Sequence, residues 1–326
     1  MPIWKFTRVT ILVVGIAACD NAGLTLGFDH DRTGTVSVLV YLDRDGTKTA
    51  TAFDTTYAGA STSILPQTGE TPLRTVKTDA QGVAKFERLP LGEYRVRVEP
   101  VSLGDSIQVA AIDSAVTRLT VTDTLRGVLV RLAFPELSIR QTRGAAAGRR
   151  VFIRGVLLSA LQNFRDTTVH LADTSGFLRL TRAGLLGSAA GNNPGDSVTV
   201  IGTVSSRGGQ PTADLARIAR LAVRPPPVPI PLSSGSAATA DLGRLDAALV
   251  QITSATISDT ATIAPDFKLT VSDGTGSLDV TLDATLNVPK SAFRPGRSLS
   301  IRGVLVPNGA GAWTVKPRDQ SDIVLN

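Results

Sequence analysis

Residues 169–180, VHLADTSGFLRL, align with residues 269–280, LTVSDGTGSLDV. GDSVTVIGTV (195–204) aligns with GRSLSIRGVL (296–305), and VFIRGVLLS (151–159) with VQITSATIS (250–258). The offsets are 100, 101 and 99 residues, so the two copies stay in step along a whole unit. Each copy reads strand, loop, strand, D-x-x-G turn, strand, short connection, P-G-x-S turn, strand, strand. Pro194-Gly195 and Pro295-Gly296 mark the same turn in both copies. Five strands punctuated in this way predict a small closed Greek-key barrel, present twice. Between the copies lies RPPPVPIPL (224–232), a proline run that predicts a stiff, extended linker.

A chain of 326 residues is long enough for two or three domains, each burying its own core without disulfides. Apolar residues at 42% and charged residues at 19% give a globular composition. In GTVSVLVYLDRDG, Val36, Val38 and Val40 alternate with Ser37 and Leu39. Tyr94, Val96 and Val98 alternate with Arg95, Arg97 and Glu99, a half-buried strand. The predicted class is all-β.

Two resemblances sharpen this reading. Gly82, Phe86, Leu89, Pro90, Gly92, Tyr94 and Val96 match the turn G-x-x-x-F-x-x-L-P-x-G-x-Y-x-V. That turn resembles the prealbumin-like sandwich repeats of bacterial surface adhesins and the carboxypeptidase regulatory-like domains. The resemblance covers roughly residues 34–100, with YAGASTSIL (57–65) similar to the family's second strand. Residues 101–135 add alternating strands that complete the sandwich. The repeated unit resembles the oligonucleotide/oligosaccharide-binding (OB) fold through L-x-D-x-x-G-x-L and G-x-S-(V/L)-x-(V/I)-x-G, over roughly residues 140–222 and 236–326. The expected organisation is a prealbumin-like β-sandwich (33–137), OB-like barrel 1 (138–223), the linker (224–232) and OB-like barrel 2 (233–326).

The N-terminus reads MPIWKFTRVTILVVGIAACDN. Lys5 and Arg8 precede the apolar stretch Val9 to Ala18, which is too short to span a bilayer as a helix. Small residues follow, then Cys19, the only cysteine. IAAC resembles the bacterial lipobox, with Ile16 in place of the commoner leucine. The resemblance implies a signal peptide (1–18), an acylated Cys19, a tether (19–32) and a membrane-anchored protein of the cell envelope on the periplasmic or surface side. Asp20 resembles an inner-membrane retention signal. The alternative is an ordinary secretory signal with a chance cysteine.

Net charge is +6, from 34 basic and 28 acidic residues. Residues 140–222 hold 11 arginines against 4 aspartates, whereas the sandwich and barrel 2 each balance at −1. The excess therefore lies in barrel 1. A basic surface suits nucleic acid or an anionic membrane; it also suits a genome rich in arginine codons. Alternation in FLRLTR turns Leu178 and Leu180 inward and Phe177 and Arg179 outward. In RVFIRG it turns Val151 and Ile153 inward and Phe152 and Arg154 outward. The second and third strands line the ligand face of this fold. Phe177 beside Arg179 could therefore stack a base or sugar and neutralise a phosphate, with Phe164 and Arg165 closing over it. The competing reading is that the arginines are ordinary solvent-side residues and that a neighbouring domain covers the outward phenylalanine. Barrel 2 carries Ser277 and Asp279 at the matching places.

LDRDG followed by Asp54 is similar to a calcium-binding stretch of the serine-aspartate adhesins. That resemblance implies Ca2+ held by Asp43, Asp45 and Asp54; a plain hairpin turn at Asp45-Gly46 explains the same residues. No small-molecule cofactor is expected. Only two histidines occur, and no G-x-S-x-G or phosphate-loop fingerprint. His30 falls in the tether, and His170 reads as a surface strand residue. The expectation is a non-catalytic binding or scaffold protein, anchored to the membrane and partnered by an envelope protein or polysaccharide. The alternative partner is nucleic acid or another anionic polymer bound by barrel 1, in support of a secreted nuclease.

Overall fold

The computed structural model describes residues 29–104, 106–181, 192–225, 227–309 and 311–326; Cys19 and the predicted signal peptide lie outside them. The first eight strands are β1 (Asp29–Leu42), β2 (Thr55–Thr56), β3 (Ser61–Pro66), β4 (Arg74–Lys77), β5 (Val83–Val98), β6 (Gln108–Ile112), β7 (Thr117–Leu119) and β8 (Leu125–Ala133). The long β5 serves two sheets. Its first half pairs with β1, and its second half with β3 and β7. The switch falls at Pro90–Gly92, the turn singled out by the sequence. Phe86 and Tyr94, on either side of it, are fully buried, and the Tyr94 hydroxyl donates to the Pro90 carbonyl. Burial raises the Tyr94 pKa to about 12. Gly82 has φ +75°, and a Cβ there would stand 2.5 Å from the Val40 carbonyl oxygen, so the turn requires glycine. Val36, Val38 and Val40 are fully buried in the sandwich core. β1 starts earlier than the expected boundary: it takes in Asp29 to Arg32, assigned to the tether, because Asp29 pairs with Leu91.

Barrel 1 comprises α1 (Ile139–Arg143) and strands β9 (Arg150–Leu157), β10 (Thr168–Asp173), β11 (Gly176–Thr181), β12 (Ser197–Arg207) and β13 (Gln210–Ala222). The closed order is β10-β11-β13-β12-β9, with β11 and β13 parallel. Barrel 2 follows a short strand β14 (Ile230–Pro231) and α2 (Ser234–Ala238). It is built from β15 (Leu249–Ile263), β16 (Asp266–Ser272), β17 (Ser277–Leu282), β18 (Ser298–Pro307) and β19 (Trp313–Lys316), with β20 (Ile323–Leu325) on its edge. Its pairings repeat those of barrel 1, including a parallel β17–β19 pair and closure by β15–β18. Both units are therefore closed five-stranded barrels of OB-like topology.

The repeated aspartates explain the repeat's turn. Asp173 accepts from Ser175 and from the Ile139 amide at the start of α1. Asp273 accepts from Thr275 and from the Ser234 amide at the start of α2. Each carboxylate ties its hairpin to the helix that plugs its barrel; at Asp273 the Ser234 hydroxyl also donates, at 2.7 Å, and that bond, followed by those from Thr275 and the Ser234 amide, holds its pKa well below the usual carboxylate range. The proline linker is less free than expected. Ile230 and Pro231 pair with Val250 and Gln251, and a Cβ at Gly195 would stand 2.5 Å from the Pro225 carbonyl oxygen. The linker backbone thus lies against both barrels.

Candidate functional site

In barrel 1 the alternation holds: Val151, Ile153, Leu178 and Leu180 are fully buried inside. Of the outward set, Arg154 meets solvent, but the residues on β10 and β11 are covered. His170 and Arg179 face each other across β10 and β11. His170 is 0% exposed and Arg179 only 8%. Ser159 and Phe164, from barrel 1's own β9–β10 connection, lie on His170, and barrel 2 covers that connection in turn. Leu249, Val304 and Val306 pack with Leu158 and Phe164 into an apolar cluster between the barrels, with Ala172 and Phe177 at its margin.

The polar contacts around that cluster cross the same interface. Lys316 Nζ donates to Asp166 at 2.9 Å, lies 3.3 Å from Asp283, and sits 4.9 Å from the centroid of the Phe164 ring. Arg318 donates to the Leu158 carbonyl at 3.0 Å while paired with Asp322. The Arg165 amide donates to Asp283, and Thr285 Oγ1 to the Asn163 carbonyl. At the far end Arg143 donates to Asp246 at 3.1 Å, and the same carboxylate accepts from Trp313 Nε1.

Each sequence-predicted residue therefore has a definite place. Phe164, 3% exposed, makes an edge contact with His170 and anchors the joint rather than a ligand. Phe177 is half-buried against barrel 2. Arg179 donates to the Arg207 carbonyl at 2.6 Å. Arg165 is exposed. Arg154 is exposed and pairs with Glu136 at 3.0 Å, with its guanidinium 5.7 Å from the Phe152 ring centroid. Phe152 is half-buried beside the sandwich, where a Cβ on Gly46 would touch its ring.

His170 is a correction: it is sealed inside, not on the surface. Its Nδ1 lies 3.2 Å from Ser159 Oγ. Burial, then the positive charge of Arg179 and, more weakly, of Lys316, push its pKa down to about 3, against the opposing pull of Asp166. This serine–histidine contact has no solvent access, so it cannot meet a substrate. Unfolded histidine takes up a proton below about pH 6.5, whereas this one resists until about pH 3. Between those values the unfolded state binds more protons, so stability falls as pH falls through the window and is unaffected by this group above it. Urea melts from pH 7 to 4 should show that loss, and it should shrink in a His170→Gln variant.

Asp43, Asp45 and Asp54 do come together, with carboxylate oxygens within 4.8 Å of one another. Asp43 accepts from the Gly46 and Lys48 amides and pairs with Arg131 at 3.0 Å. Asp45 accepts from Thr47 and Thr51 and lies 3.7 Å from Arg217. Asp54 accepts from the Arg44 and Thr51 amides. Each carboxylate already has donors, Arg131 pairs with Asp43, and Arg217 lies 3.7 Å from Asp45. These contacts make a self-bonded loop, the hairpin-turn reading; calcium takes six or more oxygens, of which the aspartates supply only part. Asp43→Asn should cost about 1–3 kcal/mol in denaturant melts, because it removes charge from a buried, donor-rich site.

The joint's other residues, Lys316, Arg318, Asp283 and Asp246, carried no motif. Their only sequence signal is that all four lie in or beside the second copy of the repeat.

No protein-family model matches the chain, and no curated protein is similar to it in sequence. Among solved structures it is similar to the hypothetical protein ygiW from E. coli, with 17% identity over 27% of this chain and 90% of that one, TM-score 0.23. It is similar to the telomere capping protein Ten1 from Saccharomyces pombe, with 15% identity over 26% and 78% of the two chains, TM-score 0.22. It is also similar to the Ifi202 HINa domain solved with 20-bp double-stranded DNA, with 11% identity over 56% and 97%, TM-score 0.30.

Proposed function

We propose that this protein is a lipid-anchored, non-catalytic scaffold of the bacterial cell envelope. The prealbumin-like sandwich spaces a pair of fused barrels from the membrane, and the barrels present their outer surfaces to an envelope protein or polysaccharide. One observation carries the scaffold reading: the outward face of β10 and β11, where such a barrel would take a ligand, is spent on docking barrel 2. The lipobox-like IAAC supports the anchor, since buried acyl chains contribute about 0.8 kcal/mol per CH₂. The test is intact-mass analysis of protein from its own host, joined to a pull-down from solubilised envelope with and without DNase. An acylated N-terminal Cys19 and a DNase-resistant envelope partner support the reading; an unmodified residue 19 refutes the anchor.

A second reading, binding of an anionic polymer, is favoured by the 11 arginines against 4 aspartates in residues 140–222. A low-salt gel shift with single-stranded DNA tests it. No shift, or an equal shift by an Arg154→Ala, Arg165→Ala double variant, discards it.

A further inference from the structure

The loop that holds Asp43, Asp45 and Asp54 folds over barrel 1 and closes a cleft of about 260 Å³, lined by Arg44, Phe53, Arg150, Ile201 and Arg217 along with two alanines. We propose that this cleft binds a tetrahedral oxyanion, as phosphate or a phosphate ester.

The strand register brings the cations together. Arg150 on β9 stands opposite Thr203, and Arg217 on β13 opposite Ile201, both on β12 between them. Ile201 and Thr203 are two residues apart, so the arginines flank one patch of the barrel's outer wall. The sandwich loop adds Arg44 from above. Three guanidiniums thus line one cleft, and no acidic residue lines it with them. Among the described residues neither Arg44 nor Arg150 has a carboxylate partner. Only Arg217 has one, Asp45 at 3.7 Å, and the Asp45 oxygens are already engaged by Thr47 and Thr51.

A second arginine-lined cleft, at the joint of the barrels, holds Arg140, Arg143 and Arg244, but there Asp173 lines the cleft with them, and Arg143 and Arg244 pair with Asp246 and Asp241. In the first cleft only Arg217 has a nearby carboxylate, so the three guanidiniums repel one another, and an oxyanion relieves that repulsion while accepting forked donors from them. The Arg217 guanidinium lies 5.0 Å from the centroid of the Phe53 ring, which is 63% exposed at the mouth. Phe53 thereby orients Arg217 and leaves an apolar lip for whatever the phosphate is esterified to.

The experiment is calorimetric titration of the full chain with inorganic phosphate at low salt, repeated with an Arg44→Gln, Arg150→Gln variant. These two residues hold no ion pair, so the fold should survive; Arg244→Gln serves as a control. The expected result is saturable binding, weakened at least about tenfold in the double variant and unchanged in the control. Phosphate should also shift the Nε–H NMR signals of Arg44, Arg150 and Arg217 in the unsubstituted protein and leave Arg244 still, a readout independent of any variant's folding. Vesicles of phosphatidylglycerol and of phosphatidylcholine separate the sources. Retention on the former that phosphate competes away assigns a lipid headgroup, and phosphate binding without retention assigns a soluble phosphate. Absence of saturable phosphate binding, or binding with those three signals unmoved, overturns the proposal.

Discussion

Phe164→Ala is expected to destabilise the protein by about 3–5 kcal/mol, the range for removing a buried phenylalanine. The ring is 3% exposed. It packs with Leu158, Leu249, Val304 and Val306, meets His170 edge-on at 5.6 Å and lies under the Lys316 ammonium. The cavity would open at the joint and not within either barrel. Calorimetry should therefore show one transition for the two barrels in the parent and two in the variant. Phe164→Leu, which refills most of the space, should keep a single transition. A loss below about 1 kcal/mol for the alanine variant would mean that the joint is loosely packed.

Asp246→Ala should cost about as much, about 3–5 kcal/mol, for an electrostatic reason. The carboxylate is 1% exposed and holds Arg143 of barrel 1 and the Trp313 indole N–H of barrel 2. Removing it strands a half-buried guanidinium and a buried indole donor together. Asp246→Asn retains one acceptor oxygen and should lose less. If Asp246→Ala and Arg143→Ala cost the same singly and together, the pair acts as a unit; simple additivity would mean that the two groups are independent.

What the sequence reveals here, and what it hides, follows from the range of each physical signal. The repeat at 169–180 and 269–280 yields two barrels with the same strand order, because local periodicity and turn chemistry act within a hairpin. Leu178 and Leu180 are inside for the same reason. The turn from Gly82 to Tyr94 is legible because glycine at positive φ and a tyrosine reaching back to Pro90 are short-range requirements. Alternation, however, only says that Arg179, Phe177 and His170 point away from their own barrel's core. Whether that outer face meets water or another domain depends on residues about a hundred positions away. Leu249, Val304 and Lys316 sit in strands whose own patterns look ordinary. The aspartate cluster shows the converse. The residues meet as the spacing suggests, but the contacts of Asp43 with Arg131 and of Asp45 with Arg217 come from distant strands and carry no local signal.

Barrel 2 packs over the outer face of barrel 1, and His170 reports on that seal. With His30 replaced by glutamine, the chain retains one imidazole, whose NMR signals can be followed against pH. The sealed face predicts a ring that stays neutral down to about pH 3. Half-titration near about pH 6.5, the value of a solvated imidazole, would show the face open to water and would contradict the docked pair.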